Sequence, residues 1–260
     1  MKRILSMMLS FIFLLCCIQT LGNYLVQEMR MLHNAPEVEI QHREEVTTYK
    51  VLRLEPREYY TVHLGTYDEL MACQEKIDQL AGLGYRPFVA KEFPYKIRIG
   101  CFALEEQLDK LPQELLLVGQ DVYLEKCLHN QHSLKFREDD AFAREHLSSL
   151  VAGYDILLQH SLNMFQSWQA DIYTEELWRQ MITQLQEEGN NLLEQVQLAA
   201  QNCPASIYSR LFDLHEVTEN YLESLVKIAE FPENSTVWSA QSYLLELFEQ
   251  YEQILKLDIK

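Results

Sequence analysis

The chain has 260 residues, 48% of them hydrophobic and 23% charged, which is enough to build folded cores and excludes wholesale disorder. Its formal net charge of -17 is unevenly placed: residues 1–138 carry 16 basic and 19 acidic side chains, whereas residues 139–260 carry 6 and 20. So acidic a C-terminal half repels phosphate backbones, which argues against nucleic acid as its partner.

Lys2 and Arg3 precede an apolar stretch from Ile4 to Leu21 that continues weakly to Val26. Eighteen helical residues cover about 27 Å, close to the roughly 30 Å hydrocarbon core of a bilayer. The positive-inside rule then predicts an uncleaved, single-pass signal anchor over residues 1–26, with Met1 cytoplasmic and the rest outside the cell membrane. A cleaved signal peptide competes with it, but Thr20-Leu21-Gly22 is a poor cleavage site and the run exceeds the roughly 7–15 residues of a signal core. Leu14, Leu15, Cys16 and Cys17 only loosely match a lipobox, since Cys16 stands where a small residue is wanted. Residues 27–57 are polar, mixed in charge and contain Pro36 and Pro56; they read as a spacer in which Tyr49–Leu54 can pair as an extra edge strand.

An internal repeat follows. Tyr60–Tyr67 (YTVHLGTY) aligns with Tyr95–Phe102 (YKIRIGCF) at an offset of 35, and the same offset carries Gly84–Ala90 onto Gly119–Glu125. Each copy predicts strand, glycine turn, helix, glycine, strand. In the first, Leu70, Cys73, Ile77 and Leu80 recur at helical spacing and Gly82 and Gly84 end the helix; in the second, Pro112 interrupts the stretch from Leu104 to Val118. Two such units give a four-stranded sheet backed by two helices, a ferredoxin-like βαββαβ arrangement. Alternation assigns Val62, Leu64, Ile97 and Ile99 to the core, with Tyr59, Thr61, His63, Lys96 and Arg98 on the open face. If Val89, Val122 and Leu124 are core, Phe88 and Tyr123 join that open face.

The segment from about Tyr59 to Leu128 resembles the SPOR (sporulation-related repeat) family, whose pattern is close to Y-x-V-Q-x-G-A/S-F, a helix, G-Y, then Y-R-V-x-x-G-x-F. His63 stands where that family usually has Gln, and Lys96 replaces its usual Arg. The resemblance covers residues 58–128 and implies binding of peptidoglycan glycan strands, preferentially stripped of stem peptides, through one face of the sheet. A sugar chain presents hydroxyls and flat apolar ring faces, so His63, Thr66, Lys96 and Arg98 are the expected donors, with Tyr123 and Phe88 for stacking.

From Asp139 the chain has almost no glycine and predicts four long amphipathic helices, an acidic antiparallel bundle over 139–260. The first carries Leu147, Leu150, Tyr154, Leu157, Phe165 and Trp168. The second begins after Thr174, an N-cap, and carries Leu177, Met181, Leu185, Leu192 and Val196. The third starts after Pro204 with Ile207, Leu211, Leu214, Leu222 and Leu225. The fourth follows Asn234, Ser235 and Thr236, which fit a glycosylation sequon but read more simply as a cap, and carries Trp238, Leu245, Phe248, Tyr251 and Leu255. Breaks are expected at Ala170–Tyr173, Cys203 and Phe231–Ser235.

The sequence points to no catalytic site, metal or cofactor. Cys73, Cys101, Cys127 and Cys203 lack CxxC spacing, and Cys127, His129 and His132 lie close together without a second ligand cluster. His146, His160 and His215 lack ligand partners at i, i+4, and Glu175-Glu176 and Glu187-Glu188 suit solvated helix faces better than acid–base pairs. An RNA-recognition sheet disagrees with export and with Lys96–Phe102. The expectation is therefore a non-catalytic, membrane-anchored cell-envelope protein that binds wall glycan in division, sporulation or wall upkeep. Its rival is an interaction protein whose acidic bundle docks a protein partner, the sheet having lost its glycan affinity.

Overall fold

The computed structural model describes residues 40–41, 48–90, 93–105, 111–119, 121–130, 132–169 and 174–259, and the chain is α+β. The apolar run at 4–26, and with it the membrane anchor, lies outside the described residues, as does the break expected at Ala170–Tyr173. Among the described residues no helix is long and apolar enough to cross a membrane.

Two short strands, β1 (Ile40–Gln41) and β2 (Thr48–Leu52), precede the repeat. The repeat itself runs β3 (Arg57–Tyr67), α1 (Leu70–Gly82), β4 (Phe88–Val89), β5 (Tyr95–Phe102), α2 (Gln113–Val118) and β6 (Tyr123–His129). Its sheet has the order β4-β5-β3-β6 with every neighbouring pair antiparallel, so the two βα units interleave and their first strands lie side by side at the centre. Neither unit buries an apolar face alone. Together they close a core in which Val62, Leu64, Ile97 and Ile99 meet Cys73, Leu80 and Leu115 from the helices, with Val89, Val122 and Leu124 packed against it. Leu70, which opens α1, is exposed and outside this stripe. The helix ends where the glycines predict: Gly84 donates to the Ala81 carbonyl and Tyr85 to that of Leu80, a paired closure needing the left-handed turn that Gly84 adopts at φ 85°. Pro112 caps α2 at its start, Gln113.

The strand within the expected spacer does form, but not on this sheet. Tyr49–Leu52 pairs antiparallel with β7 (Leu134–Arg137), which also pairs in parallel with β8 (Asp258–Ile259), giving a second small sheet of order β1-β2-β7-β8.

One turn of π-helix at Ala143–Leu147 leads into α3 (Ser148–Gln169), followed by α4 (Glu175–Asn202), α5 (Ala205–Glu230) and α6 (Asn234–Leu255). Each of these four helices packs on the next, and α3 against α6 closes the ring. Thr174 caps α4 through its hydroxyl, which accepts from the Leu177 amide at 3.2 Å. Two sequence expectations change. The buried stripe of α4 is Trp178, Ile182, Leu185, Gly189, Leu192, Val196 and Ala199, so Leu177 is exposed and Met181 only half-buried. Asn234 is the first residue of α6 rather than its cap, and the Thr236 hydroxyl reaches back to the Phe231 and Glu233 carbonyls at 2.6 and 2.8 Å.

Helix α6 is buried nearly all round: Val237, Trp238, Leu244, Leu245, Leu247, Phe248 and Tyr251 are all inside. A helix needs a partner on each apolar side. One side of α6 meets α5 and α3, and the other lies on β5 and β4, so the four-stranded sheet and the helices share one compact unit, Glu39–Lys260.

Candidate functional site

The sheet face opposite α1 and α2 is divided in two by α6. Over one half, Tyr59 stacks on Phe248 with centroids 4.6 Å apart and planes within 7°, and the Cys101 amide donates to Gln241 Oε1 at 3.1 Å. His129 lies 5.1 Å from the Phe248 ring, and Phe102 meets Trp238 edge-on at the rim. Gly100, at φ 73°, makes this approach possible, since a Cβ there would stand 2.5 Å from Trp238 Cζ3. Polar groups fasten the edge. Asn130 Nδ2 donates to Asp155 Oδ1 at 2.7 Å, Asn130 Oδ1 accepts from the Tyr251 hydroxyl at 3.0 Å, and Arg57 meets Asp155 at 3.4 Å and hydrogen-bonds Gln159. Arg86 donates to Glu246 at 2.8 Å and lies over the Tyr243 ring. Tyr59, Thr61 and His129 are therefore interface, not ligand surface. Phe88, opposite Arg98 in register, is only 4% exposed and is not available for stacking.

The other half carries the remaining expected residues. Strict alternation would put His63 and Thr66 on opposite faces. A bulge between His63 and Gly65 shifts the register by one, so His63 lies opposite Arg98 and Thr66 opposite Lys96, on the same side. The Thr66 hydroxyl and His63 Nε2 are 3.0 Å apart. Tyr123 covers His63 with centroids 4.5 Å apart and is itself 46% exposed, whereas His63, only 1% exposed, is not available as the expected donor to a ligand. At the centre is a residue absent from the sequence-based set, Glu125. Arg98 grips it with two bonds of 2.7 and 2.9 Å, Lys96 Nζ is 3.6 Å away, and His63 Nδ1 is 4.0 Å away. Two-residue alternation from Tyr123 along β6 would have found it.

Charge in this cluster is nearly internally compensated. Burial raises the Glu125 carboxyl, but the Arg98 fork, helped by Lys96 and His63, outweighs it and holds the group below the usual carboxylate range. Burial lowers His63, Glu125 opposes it, and Arg98 and Lys96 reinforce it, so the ring is neutral at pH 7. Arg98 thus positions Glu125, leaving Thr66, Lys96 and Glu125 to exchange hydrogen bonds with a ligand and Tyr123 to offer a flat apolar surface. That combination suits a polyhydroxylated ligand with apolar ring faces.

The other singled-out groups have ordinary partners. Glu175 pairs with Arg179, Glu176 accepts from Gln180, and Glu188 meets His160 at 2.9 Å; His215, against expectation, does have a partner at i+4, with Nδ1 3.4 Å from the Glu219 carboxylate. Cys73, Cys101, Cys127 and Cys203 are free thiols, and among the described residues no group of His, Cys, Asp and Glu is placed to hold a metal ion. Comparison with known proteins finds no family model, no curated protein and no solved structure that matches this chain.

Proposed function

We propose that this chain is a membrane-tethered cell-envelope protein, non-catalytic, that binds peptidoglycan glycan strands through the uncovered half of a SPOR-like sheet. One observation carries the proposal. Thr66, Lys96 and Tyr123 gather with Glu125 on the sheet face where the resembling family holds its ligand, with Arg98 and the buried His63 positioning them from beneath. The ferredoxin-like strand order and the paired YTVHLGTY and YKIRIGCF strands support the same assignment. The test is sedimentation of the full-length protein with peptidoglycan before and after stem-peptide removal. Retention on stripped strands is expected, reduced by Tyr123→Ala and Lys96→Ala. A hydrogen bond from a charged donor such as Lys96 is worth about 1.5–3 kcal/mol, and the Tyr123 face adds apolar contact beside it, so neither loss alone removes the site. Failure of folded wild-type protein to sediment overturns the proposal, and full retention by both variants moves the ligand to another surface.

A second function has its own support. Helix α6 buries Tyr59 and Thr61, and Phe88 is inside, so only half of the face remains for a ligand. That favours an interaction protein whose sheet serves to anchor the acidic helices, which then dock a protein partner. Such a protein sediments no better with stripped strands than with intact wall.

A further inference from the structure

Between α4 and α5, beside the turn at Cys203 and Pro204, lies a groove of about 340 Å³ lined by Val196, Ala200, Tyr208, Leu211, Phe212 and His215. Its lining is mostly apolar, with Val196 and Leu211 buried at the floor and Gln197 and Gln201 at its side. Tyr208 and Phe212 stand one helical turn apart on the outer face and are 52% and 57% exposed. Gln197 and His215 close one end with a hydrogen bond of 3.0 Å. Single exposed apolar side chains are ordinary on a protein surface; two aromatics flanking a mostly apolar slot make a contiguous apolar feature.

The charge around the slot is one-sided. Along the stretch of the two helices beside it lie Glu194, Asp213, Glu216 and Glu219 against Arg210 alone, with Glu219 also 3.4 Å from His215 Nδ1. We propose that this groove docks a cationic amphipathic helix of a partner protein. An occupant between two helices finds no strand edge to pair with, so it must satisfy its own backbone hydrogen bonds, as a helix does. Tyr208 to His215 spans about 10 Å along α5, so two or three turns of the partner fill it, with apolar anchors at i, i+3 or i+4, and i+7. Its lysines or arginines face the acidic rim formed by Glu194, Glu216 and Glu219, and attraction there is screened by salt. This deepens the partner-docking function and rests on it; it is independent of the glycan site on the sheet.

The test uses the full-length protein and labelled peptides of about 14 residues, roughly four helical turns. One is a leucine–lysine amphipathic helix, one has glutamate in place of every lysine, and one is the lysine peptide with its leucines scrambled off a single face. Anisotropy should show saturable binding of the first alone, weakening as salt rises. Tyr208→Ala with Phe212→Ala should weaken it roughly tenfold or more. The Leu117→Ala control, on an exposed leucine of α2, should leave it unchanged. Because the aromatic pair also contributes to folding, Glu194→Lys with Glu216→Lys gives a separate check: it should lose the lysine peptide and gain the glutamate peptide. Equal binding of all three peptides, no binding at all, or unchanged affinity in both double variants overturns the proposal. Sedimentation on glycan by the same variants should be unaffected, which separates this failure from failure of the sheet's assignment.

Discussion

His129 sits tilted against the stacked rings of Tyr59 and Phe248, fully buried where the sheet meets α6. Burial lowers its affinity for a proton and the Arg57 guanidinium adds to the effect, bringing the ring to about 4. The unfolded chain protonates the same ring near pH 6.5, so between those values unfolding takes up a proton. Stability from this residue is complete above about pH 6.5, declines as the pH falls toward 4, and declines no further below it. A shift of that size corresponds to roughly 3 kcal/mol. Urea midpoints measured from pH 7 to pH 4 should fall for wild type and flatten in His129→Phe; parallel slopes would place the loss elsewhere. Glu125 makes a complementary prediction. Glu125→Ala leaves Arg98 and Lys96 close together without their shared carboxylate, at a cost of about 1–3 kcal/mol, read as a lower melting temperature. These residues also mark what could be read early. His63, Lys96, Arg98 and Tyr123 follow from two-residue alternation, because a strand's faces are fixed once one buried residue is known. The partnership of Thr66 with His63 depends on an inserted residue in β3, and insertion has no local signature in YTVHLGTY.

At the scale of elements, α4 shows why a helical stripe is harder to place than a strand face. Leu185 is compatible with Leu177 and Met181 below it, and equally with Trp178 and Ile182. Tertiary contact decides: Trp178 packs 4.9 Å from Trp168 of α3, which draws the stripe one residue over. Trp178→Ala should therefore cost about 3–5 kcal/mol, whereas Leu177→Ala should stay within about 0.5 kcal/mol. Denaturant melts of the two variants check the assignment, and equal losses would restore Leu177 to the core. The covering of the sheet by α6 had a signal of another kind. Val237, Leu244 and Leu247 lie away from the stripe of Trp238, Leu245 and Phe248, so the helix is apolar on two sides. A helix with two apolar sides announces a second partner but does not say which surface supplies it.

For the molecule as a whole, the acidic bundle has one side of α6 pressed against the sheet. An isolated fragment 139–260 would expose Trp238, Phe248 and Gln241 to water and lose the bonds from Cys101 and Arg86. Circular dichroism should find the fragment helical and indifferent to chelator, but melting below the intact chain. A fragment as stable as the whole would mean that the sheet contributes nothing to the helices. The strand–helix order of the repeat was legible because its glycines and alternation agree over both copies. The sheet's position on α6 was not, because it rests on contacts such as Tyr59 with Phe248 and Asn130 with Asp155, between residues far apart in the chain.

The small sheet of β1, β2, β7 and β8 has a mechanical consequence. β2, which also holds β1, lies near one end of the unit and β8 near the other, and both are zipped to the same four-residue strand, Leu134–Arg137. Pulled by those two ends, the unit takes the load at this clasp before any reaches β3 or the helices. The two-residue pairings of β1 and β8 should part first, at low force, leaving the rest of the unit intact. Optical-trap extension from tags near residues 40 and 259 would then show a short early step before the main rupture. A single rupture would mean that the clasp and the cores yield together.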